Sequence, residues 1–226
     1  MKTMRTFIKC LLLCSLIISG CNEKEEPLLD TDELTFESED DTCEAFDNPE
    51  GVVVNGVRWA TRNVGTLGTF VSSPCDYGEY YQFNKGTTDF LLYSDYYNSI
   101  YSESGSWLPA NDPSPAGWRV PTLAEIQKLL EADKVSNEWI NKNGLTGRKF
   151  TDRATDNSIF FPAAGYRYYY DGVLNDVGSI GYYWSSAANE DDYDGACYLG
   201  FVSAYTNWDN WYYRGIGFSV RPVAEN

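Results

Sequence analysis

One group of side chains in the C-terminal part of the sequence that could act as acids or bases is a short carboxylate cluster. It comprises Glu190, Asp191, Asp192 and Asp194, in a stretch with Asn and Gly neighbours. Two carboxyl groups suffice for glycoside hydrolysis, which needs no histidine. A charge run in a turn is, however, typical of a solvated surface. Because the sequence contains no histidine, it lacks the commonest general base. We therefore expect a protein that is not an enzyme, with a carboxylate-dependent glycoside hydrolase as an alternative.

Two further stretches carry oxygen atoms that could hold a hard metal ion. They are Asn111–Pro113, which reads Asn-Asp-Pro, and residues 207–210, which read Asn-Trp-Asp-Asn. Carboxylate and amide oxygens are the ligands that calcium takes in proteins. Asn and Asp also occupy turns for local reasons, and we interpret both stretches as solvated turns. The sequence predicts neither a metal nor another cofactor, and calcium stays open as an alternative.

Aromatic side chains offer a different kind of chemistry, which is stacking on a sugar ring or anchoring a partner protein. The alternative is a purely structural role, in which these rings fill the hydrophobic core. Residues three apart in a straight strand point to opposite faces, so at least one of Trp208 and Trp211 is expected to be exposed. The candidate ligand-binding residues are Trp107, Tyr205, Trp208, Trp211, Tyr212 and Tyr213.

The amino terminus has the features of a bacterial lipoprotein. Residues 1–20 combine basic residues with a short apolar run and end just before Cys21, so we interpret them as a signal peptide. Cys21 is the predicted lipidation site. The acidic residues after it resemble the signal that places Bacteroidetes lipoproteins on the outer face of the outer membrane. We expect the chain to contact the membrane only through this lipid anchor.

Residues 21–50 are strongly acidic and carry 13 Asp or Glu against one Lys. A segment of this composition buries too little apolar surface to offset its ordering entropy, so we interpret it as a flexible tether. The chain from residue 51 onward is also acidic, with 20 acidic and 13 basic residues. That sign of charge disfavours binding to nucleic acid.

Three cysteines remain after lipidation of Cys21, namely Cys43, Cys75 and Cys197. An exported protein meets an environment that permits disulfides, but three thiols cannot all pair within one chain. Either one pair with one buried thiol or three unpaired thiols is consistent with the sequence.

The element expected to organise residues 51–226 is a strand that turns into a helix at Gly117–Glu125. Thr122 and Glu125 form a capping-box pattern before apolar residues at helical spacing. A second short helix is predicted from Ser136, with Glu138 near its start and Trp139 and Ile140 facing inward. Tight hairpins are predicted at residues 55–56 (Asn-Gly) and 171–172 (Asp-Gly), and the C-terminal part reads as a run of strands.

Several stretches together resemble the Fibrobacter succinogenes major paralogous domain family. The resemblance covers about residues 51–224 and implies an α+β, C-type lectin-like fold. In such a fold one or two helices pack on a twisted antiparallel sheet with long ordered loops. It implies no activity. The motif residues we take as structural are Trp118, Arg119, Pro121, Thr122, Glu125, Phe218 and Arg221. The matched stretches are Trp59–Val64, Asn111–Thr122, Phe161–Arg167, Gly181–Ser186 and Gly217–Val223.

These observations predict a lipid-anchored protein on the outer-membrane surface whose folded part, residues 51–226, binds without catalysis. The expected partner is a glycan or a cell-surface protein. A structural or adhesive role in a surface complex is the main alternative.

Overall fold

A computed structural model describes residues 42–92, 105–142, 144–190, 194–207 and 211–225. Cys21, Asp191, Asp192 and Trp208 lie outside these ranges, as does most of the predicted tether. Within the described ranges, no helix is long and apolar enough to cross a membrane.

The described residues form fifteen strands, one α-helix and two short 3₁₀ turns at Cys43–Phe46 and Pro109–Asn111. In chain order the elements are β1 (Val52–Val54), β2 (Val57–Trp59), β3 (Tyr81–Gln82), β4 (Trp118–Arg119), α1 (Leu123–Leu129), β5 (Val135–Lys142), β6 (Leu145–Asp152), β7 (Ser158–Pro162), β8 (Tyr166–Arg167), β9 (Leu174–Asn175), β10 (Gly181–Ala188), β11 (Gly195–Phe201), β12 (Thr206–Asn207), β13 (Trp211–Tyr213), β14 (Gly217–Phe218) and β15 (Val223–Ala224).

The strands form four antiparallel sheets. Sheet I has the order β1-β2-β15-β4, and sheet II has the order β5-β6-β7. Sheet III has the order β3-β14-β8-β9. In sheet IV, β11 pairs with β10 on one side and with both β12 and β13 on the other. The prediction of an α+β, C-type lectin-like fold with helices packed on a sheet was therefore wrong. The fold is β-rich, with a single seven-residue α-helix among the described residues.

The second predicted helix is one reason for this error. Residues 135–142 form β5, which pairs in full register with β6 from Val135 opposite Asp152 to Lys142 opposite Leu145. Two side chains of this strand, Val135 and Ile140, are buried, and a third, Trp139, packs edge-on against Phe201. The helical capping signal at Ser136 is local, and the pairing with β6 outweighs it.

The strand-to-helix motif is confirmed in detail. The Thr122 hydroxyl accepts a hydrogen bond from the Glu125 backbone N–H, and the Glu125 carboxylate accepts one from the Thr122 N–H, which completes the capping box. Arg119 donates to both Glu125 carboxylate oxygens at 2.8 and 2.7 Å. The Pro121 carbonyl accepts from Ser186 N–H, and the Trp118 ring packs edge-on against Phe70. These motif residues thus fix β4, α1 and β10 relative to one another.

The tight hairpin predicted at Asn55-Gly56 is confirmed, whereas the hairpin at Asp171-Gly172 is present but is not tight, because residues 168–173 separate its two strands. Asn55 and Gly56 have φ values of 46° and 74° and join β1 to β2, as expected for the tight turn in which both central residues are left-handed. Asp171 and Gly172 lie in the turn between β8 and β9, where Gly172 has a φ of 68°.

The predicted tether ends at residue 50, whereas the structure includes residues 42–50 in the folded unit. A disulfide joins Cys43 to Cys75, which leaves Cys197 as an unpaired thiol in the described part of the chain. Phe46 is buried and stacks on Phe160 at 5.2 Å between ring centroids. The one-pair alternative for the three cysteines is therefore the correct one.

Arg221 lies at the centre of the fold and is fully buried. Its guanidinium donates from Nε to the Asn63 side-chain oxygen at 2.7 Å. Its Nη1 donates to the carbonyls of Ala60 and Thr61 at 3.2 and 2.6 Å. The charge also lies over the Phe161 ring, 4.9 Å from its centroid. This residue therefore fastens the C-terminal strand region to the segment that follows β2.

Two ion pairs predict how stability responds to acid. The Arg62 side chain hydrogen-bonds Asp47 and lowers its pKa. Burial opposes ionisation of Glu125, but hydrogen bonds from Arg119 and Thr122 outweigh it and lower the pKa. Carboxyls whose folded-state pKa is depressed stabilise the fold above their unfolded value and lose that contribution as pH falls. We expect the urea midpoint to stay level between about pH 5 and 8, where no histidine titrates, and to fall below about pH 4.

The matched variant for this prediction is Glu125→Gln. It lowers the midpoint at neutral pH because the ion pair with Arg119 is lost. It also reduces the difference between the urea midpoints at neutral and acidic pH, because the variant lacks one carboxyl group whose protonation destabilises the fold. Equal acid sensitivity in the variant and the wild type would contradict this account.

Candidate ligand-binding face

Strand β13 presents two aromatic rings to solvent. Trp211 is 41% and Tyr213 is 46% exposed, while Tyr212 between them is half-buried. This is the alternation of a strand with one covered face. The Trp211 and Tyr213 rings meet edge-to-face at 5.9 Å between centroids. Two of the predicted ligand-binding residues therefore lie side by side on the surface.

The turn between β8 and β9 adds tyrosines beside this strand. Tyr169 packs against Tyr213 at 5.9 Å and against Tyr170 at 4.4 Å, and Tyr170 is 51% exposed. The Tyr168 ring centroid lies 5.1 Å from that of Tyr169 and 5.4 Å from that of Tyr170. We call the five rings of Tyr168, Tyr169, Tyr170, Trp211 and Tyr213 the aromatic face.

Pairing between distant strands brings the two halves of the aromatic face together. Gly165, just before β8, forms a parallel bridge with Gly181 at the start of β10. β10 in turn pairs with β11, and Gly195 to Cys197 of β11 pair with β13. The β8–β9 hairpin of sheet III is thereby held next to sheet IV.

A second layer of rings supports the face from below. Phe218 is fully buried, and its ring contacts Trp184 at 4.3 Å. Tyr212 packs on Phe218 at 5.8 Å and on Tyr182 at 6.1 Å. Tyr166 packs on Tyr182 at 5.8 Å. Phe218, which the sequence marked as structural, therefore connects the aromatic face to the core.

Gly195 lets the Trp211 indole lie against the backbone of β11. A Cβ placed on Gly195 would come within 2.6 Å of the indole ring. Such a contact is too close for any side chain, so alanine at this position would push the ring outward. The orientation of Trp211 is therefore fixed by the strand beneath it.

Burial favours the neutral hydroxyl of Tyr169 on the face and of the supporting residues Tyr166, Tyr182 and Tyr212. Burial raises the pKa of Tyr169, and its hydrogen bond with Tyr170 raises it further. Burial also raises the pKa of Tyr166, Tyr182 and Tyr212, with a smaller contribution from neighbouring tyrosines. A neutral phenol both donates and accepts hydrogen bonds. The face thus combines apolar rings with uncharged polar groups.

Two arginines adjoin the strands of the face, and both are held by contacts within the protein. The Arg167 guanidinium lies over the Phe90 ring at 5.6 Å and donates to the Gly172 carbonyl. Arg214, directly after β13, is buried and donates to the Gly195 carbonyl. On the surface side, the β8–β9 hairpin carries the exposed acids Asp171 and Asp176. The charge around the face is therefore negative.

The remaining predicted binding residues lie elsewhere. Trp107 is buried, packs edge-on against Phe83 at 5.1 Å, and donates its indole N–H to the Asn111 carbonyl. It is not part of the aromatic face, and it lines a separate cleft beside the strand-to-helix motif. Tyr205 is 60% exposed in the turn between β11 and β12, at the other end of β11 from Trp211. Trp208 lies outside the described residues.

A second concave site lies beside the strand-to-helix motif. It is a cleft of about 360 Å³ lined in part by Asp112, Trp118, Arg119 and Glu225. Two of its charged groups have partners, because Asp112 accepts from the Ser114 and Val120 N–H groups and Arg119 is paired with Glu125. The Ser114 hydroxyl, which also lines the cleft, is buried without a hydrogen-bond partner among the described residues. These contacts give Asp112 and Arg119 a structural role, and the lining of the cleft does not indicate a particular class of ligand.

The other chemical candidates are the carboxylate cluster, the unpaired thiol and a metal site. Of the carboxylate cluster, Asp191 and Asp192 lie outside the described residues, and the Asp194 backbone carbonyl accepts from the Arg214 N–H. Burial, and then the nearby Glu190 charge, raise the pKa of the Cys197 thiol, which disfavours the reactive thiolate. In the part of the chain that the structure covers, no group of three His, Cys, Asp or Glu side chains could hold a metal ion.

Sequence reasoning missed the tyrosines at 168–170. The run Tyr168-Tyr169-Tyr170 falls in the part of the sequence that reads as a run of strands, and it stands directly before the Asp171-Gly172 turn. Three aromatic residues next to a predicted turn would have been the available signal, since turn residues are exposed.

Comparison with known proteins identifies one family model, Domain of unknown function (DUF8237), which matches residues 123–223. The matched region begins at α1 and includes every residue of the aromatic face. No curated protein matches the chain, and no solved structure matches it.

Proposed function

We propose that this chain is a lipoprotein of the outer-membrane surface whose folded unit binds a glycan through the aromatic face, without catalysis. The observation that carries the proposal is the row of exposed rings formed by Tyr170, Trp211 and Tyr213 around Tyr169. Exposed large apolar groups that cluster in this way are unusual on a protein with no ligand.

The chemistry of the row favours a glycan over a protein partner. Sugar rings have C–H faces that pack on aromatic rings and hydroxyls that exchange hydrogen bonds with tyrosine. The row is supported from below by the fixed rings of Tyr182, Tyr212 and Phe218, so little ordering is needed on binding. A cell-surface protein as the ligand is the alternative outcome.

The absence of catalysis rests on the sequence. No histidine is available as a general base, and a hydrolase would have to use carboxyl pairs alone. On the face itself, the Asp171 carboxylate accepts a hydrogen bond from the Val173 N–H and so has a role in the turn.

Display at the cell surface is proposed from the amino-terminal sequence. Cys21 follows a short apolar run and precedes an acidic stretch, which fits lipidation and export. We also propose a relationship to the Fibrobacter succinogenes major paralogous domain family, and this proposal rests on the sequence motifs and not on the fold.

A glycan microarray probed with the full chain tests the proposal. We expect saturable binding to a small set of glycans, followed by recovery of those glycans uncut. Gly195→Ala should weaken the signal about tenfold, because it displaces the Trp211 ring. Leu67→Ala, which changes an exposed apolar residue far from the face in sequence, should leave the signal unchanged. Cleaved products would favour the hydrolase alternative, and no glycan signal would overturn the proposal.

A further inference from the structure

The geometry of the aromatic face points to a particular class of glycan, an inference that rests on the proposed function. The rings are not coplanar. The angle between ring planes is 38° for Tyr169 and Tyr170, 46° for Tyr169 and Tyr213, and 83° for Trp211 and Tyr213. A flat crystalline polymer could touch only one of these rings by its face at a time. A single chain can turn between successive sugar units and can therefore stack on more than one of the rings.

The row of aromatic rings is also longer than the distance between two neighbouring rings. Successive centroids from Tyr170 through Tyr169 and Tyr213 to Trp211 are 4.4, 5.9 and 5.9 Å apart. The exposed rings Tyr170 and Trp211 stand at the two ends of this row. One sugar unit cannot cover both ends, so contacts at both require an oligosaccharide.

Charge distinguishes between neutral and acidic sugars. Acidic glycans are bound by arginine or lysine through charge-assisted hydrogen bonds. Here the Arg167 and Arg214 guanidinium groups donate to backbone carbonyls and lie over inner rings. The exposed acids Asp171 and Asp176 add negative charge beside the face. An anionic chain would therefore meet repulsion and no available counter-charge from these two arginines.

We infer that the ligand is a neutral, soluble, single glycan chain of several sugar units. It would lie along the row from Tyr170 to Trp211, with its ring faces on aromatic side chains and its hydroxyls toward tyrosine hydroxyls. Its binding would depend little on salt, because no charge pair forms.

Three sets of probes test this inference with the full chain. The first is soluble and neutral, with mixed-linkage β-glucan, xyloglucan and mannan and their oligosaccharides. The second is soluble and anionic, with polygalacturonate and heparin. The third is microcrystalline cellulose in a pull-down assay. We expect binding in the first set, with affinity rising at least about tenfold from disaccharide to hexasaccharide. We expect Kd to change less than about twofold between about 50 and about 500 mM NaCl.

The variants and the outcomes separate this inference from the proposed function. Tyr170→Ala should abolish most of the gain in affinity with chain length, and Leu67→Ala should leave that gain unchanged. Tighter binding to heparin or polygalacturonate, or binding to cellulose alone, would overturn the neutral single-chain assignment while leaving glycan binding intact. Binding to none of the probes would count against both.

Discussion

Replacing Arg221 with alanine is expected to lower the free energy of unfolding by about 4 kcal/mol. The change leaves three buried acceptors, those of Asn63, Ala60 and Thr61, without their donor. It also removes the cation from the Phe161 ring and opens a cavity in the core. Burial lowers the pKa of Arg221 to about 10, so the guanidinium is still charged at neutral pH. The substitution therefore removes a buried cation and lowers the free energy of unfolding at that pH.

Chemical denaturation of the full chain measures this effect, with Arg58→Ala as the matched control. Arg58 is exposed and donates to the Glu50 carbonyl, so its loss should cost no more than about 0.5 kcal/mol. Arg221→Lys should also be strongly destabilising, because an ammonium cannot reproduce the planar arrangement of Nε and Nη1. An Arg221→Ala protein as stable as the control would show that the buried network does not hold the fold together.

The combined substitution Tyr170→Ala and Trp211→Ala should reduce glycan affinity about 100-fold, which corresponds to about 2.7 kcal/mol. It removes the rings at both ends of the row while keeping Tyr169 and Tyr213 at its centre. Both side chains are about half exposed and neither belongs to the buried core, so the unfolding midpoint should shift less than in a core variant. Titration calorimetry with the glycan identified on the array measures the affinity.

Phe218→Ala provides a contrasting result for the same titration. Its ring lies beneath the face and is fully buried, so the variant should lose both stability and affinity. A double variant that unfolds like Phe218→Ala, or that binds as well as the wild type, would contradict the assignment of Tyr170 and Trp211 to a ligand surface.

The features predicted correctly from the sequence are those decided by near neighbours. The Asn55-Gly56 turn needs two residues with positive φ, and the capping box needs only Thr122 and Glu125 three positions apart. The same local reasoning failed for residues 135–142, because β5 is decided by its pairing with β6 and by burial of Val135. The fold class depended on that segment and on sheet pairings that no local pattern specifies.

The candidate site was predictable in part for the same reason. Alternation along β13 follows from strand geometry, so the exposure of Trp211 and Tyr213 is readable from the sequence. Their proximity to Tyr169 depends on the bridge between Gly165 and Gly181, which joins two sheets. The burial of Trp107 could not be predicted, because its loop position gave no sign that Phe83 would pack against its ring.

The most direct test of the central claim is oxidative footprinting of aromatic side chains, read by mass spectrometry, with and without a saturating neutral oligosaccharide. If the aromatic face binds the glycan, protection should be confined to Tyr170, Trp211 and Tyr213, with Tyr205 and the cleft residue Trp118 oxidised equally in both samples. Protection of Trp118 with no change at Trp211 would place the ligand in the cleft and contradict the account.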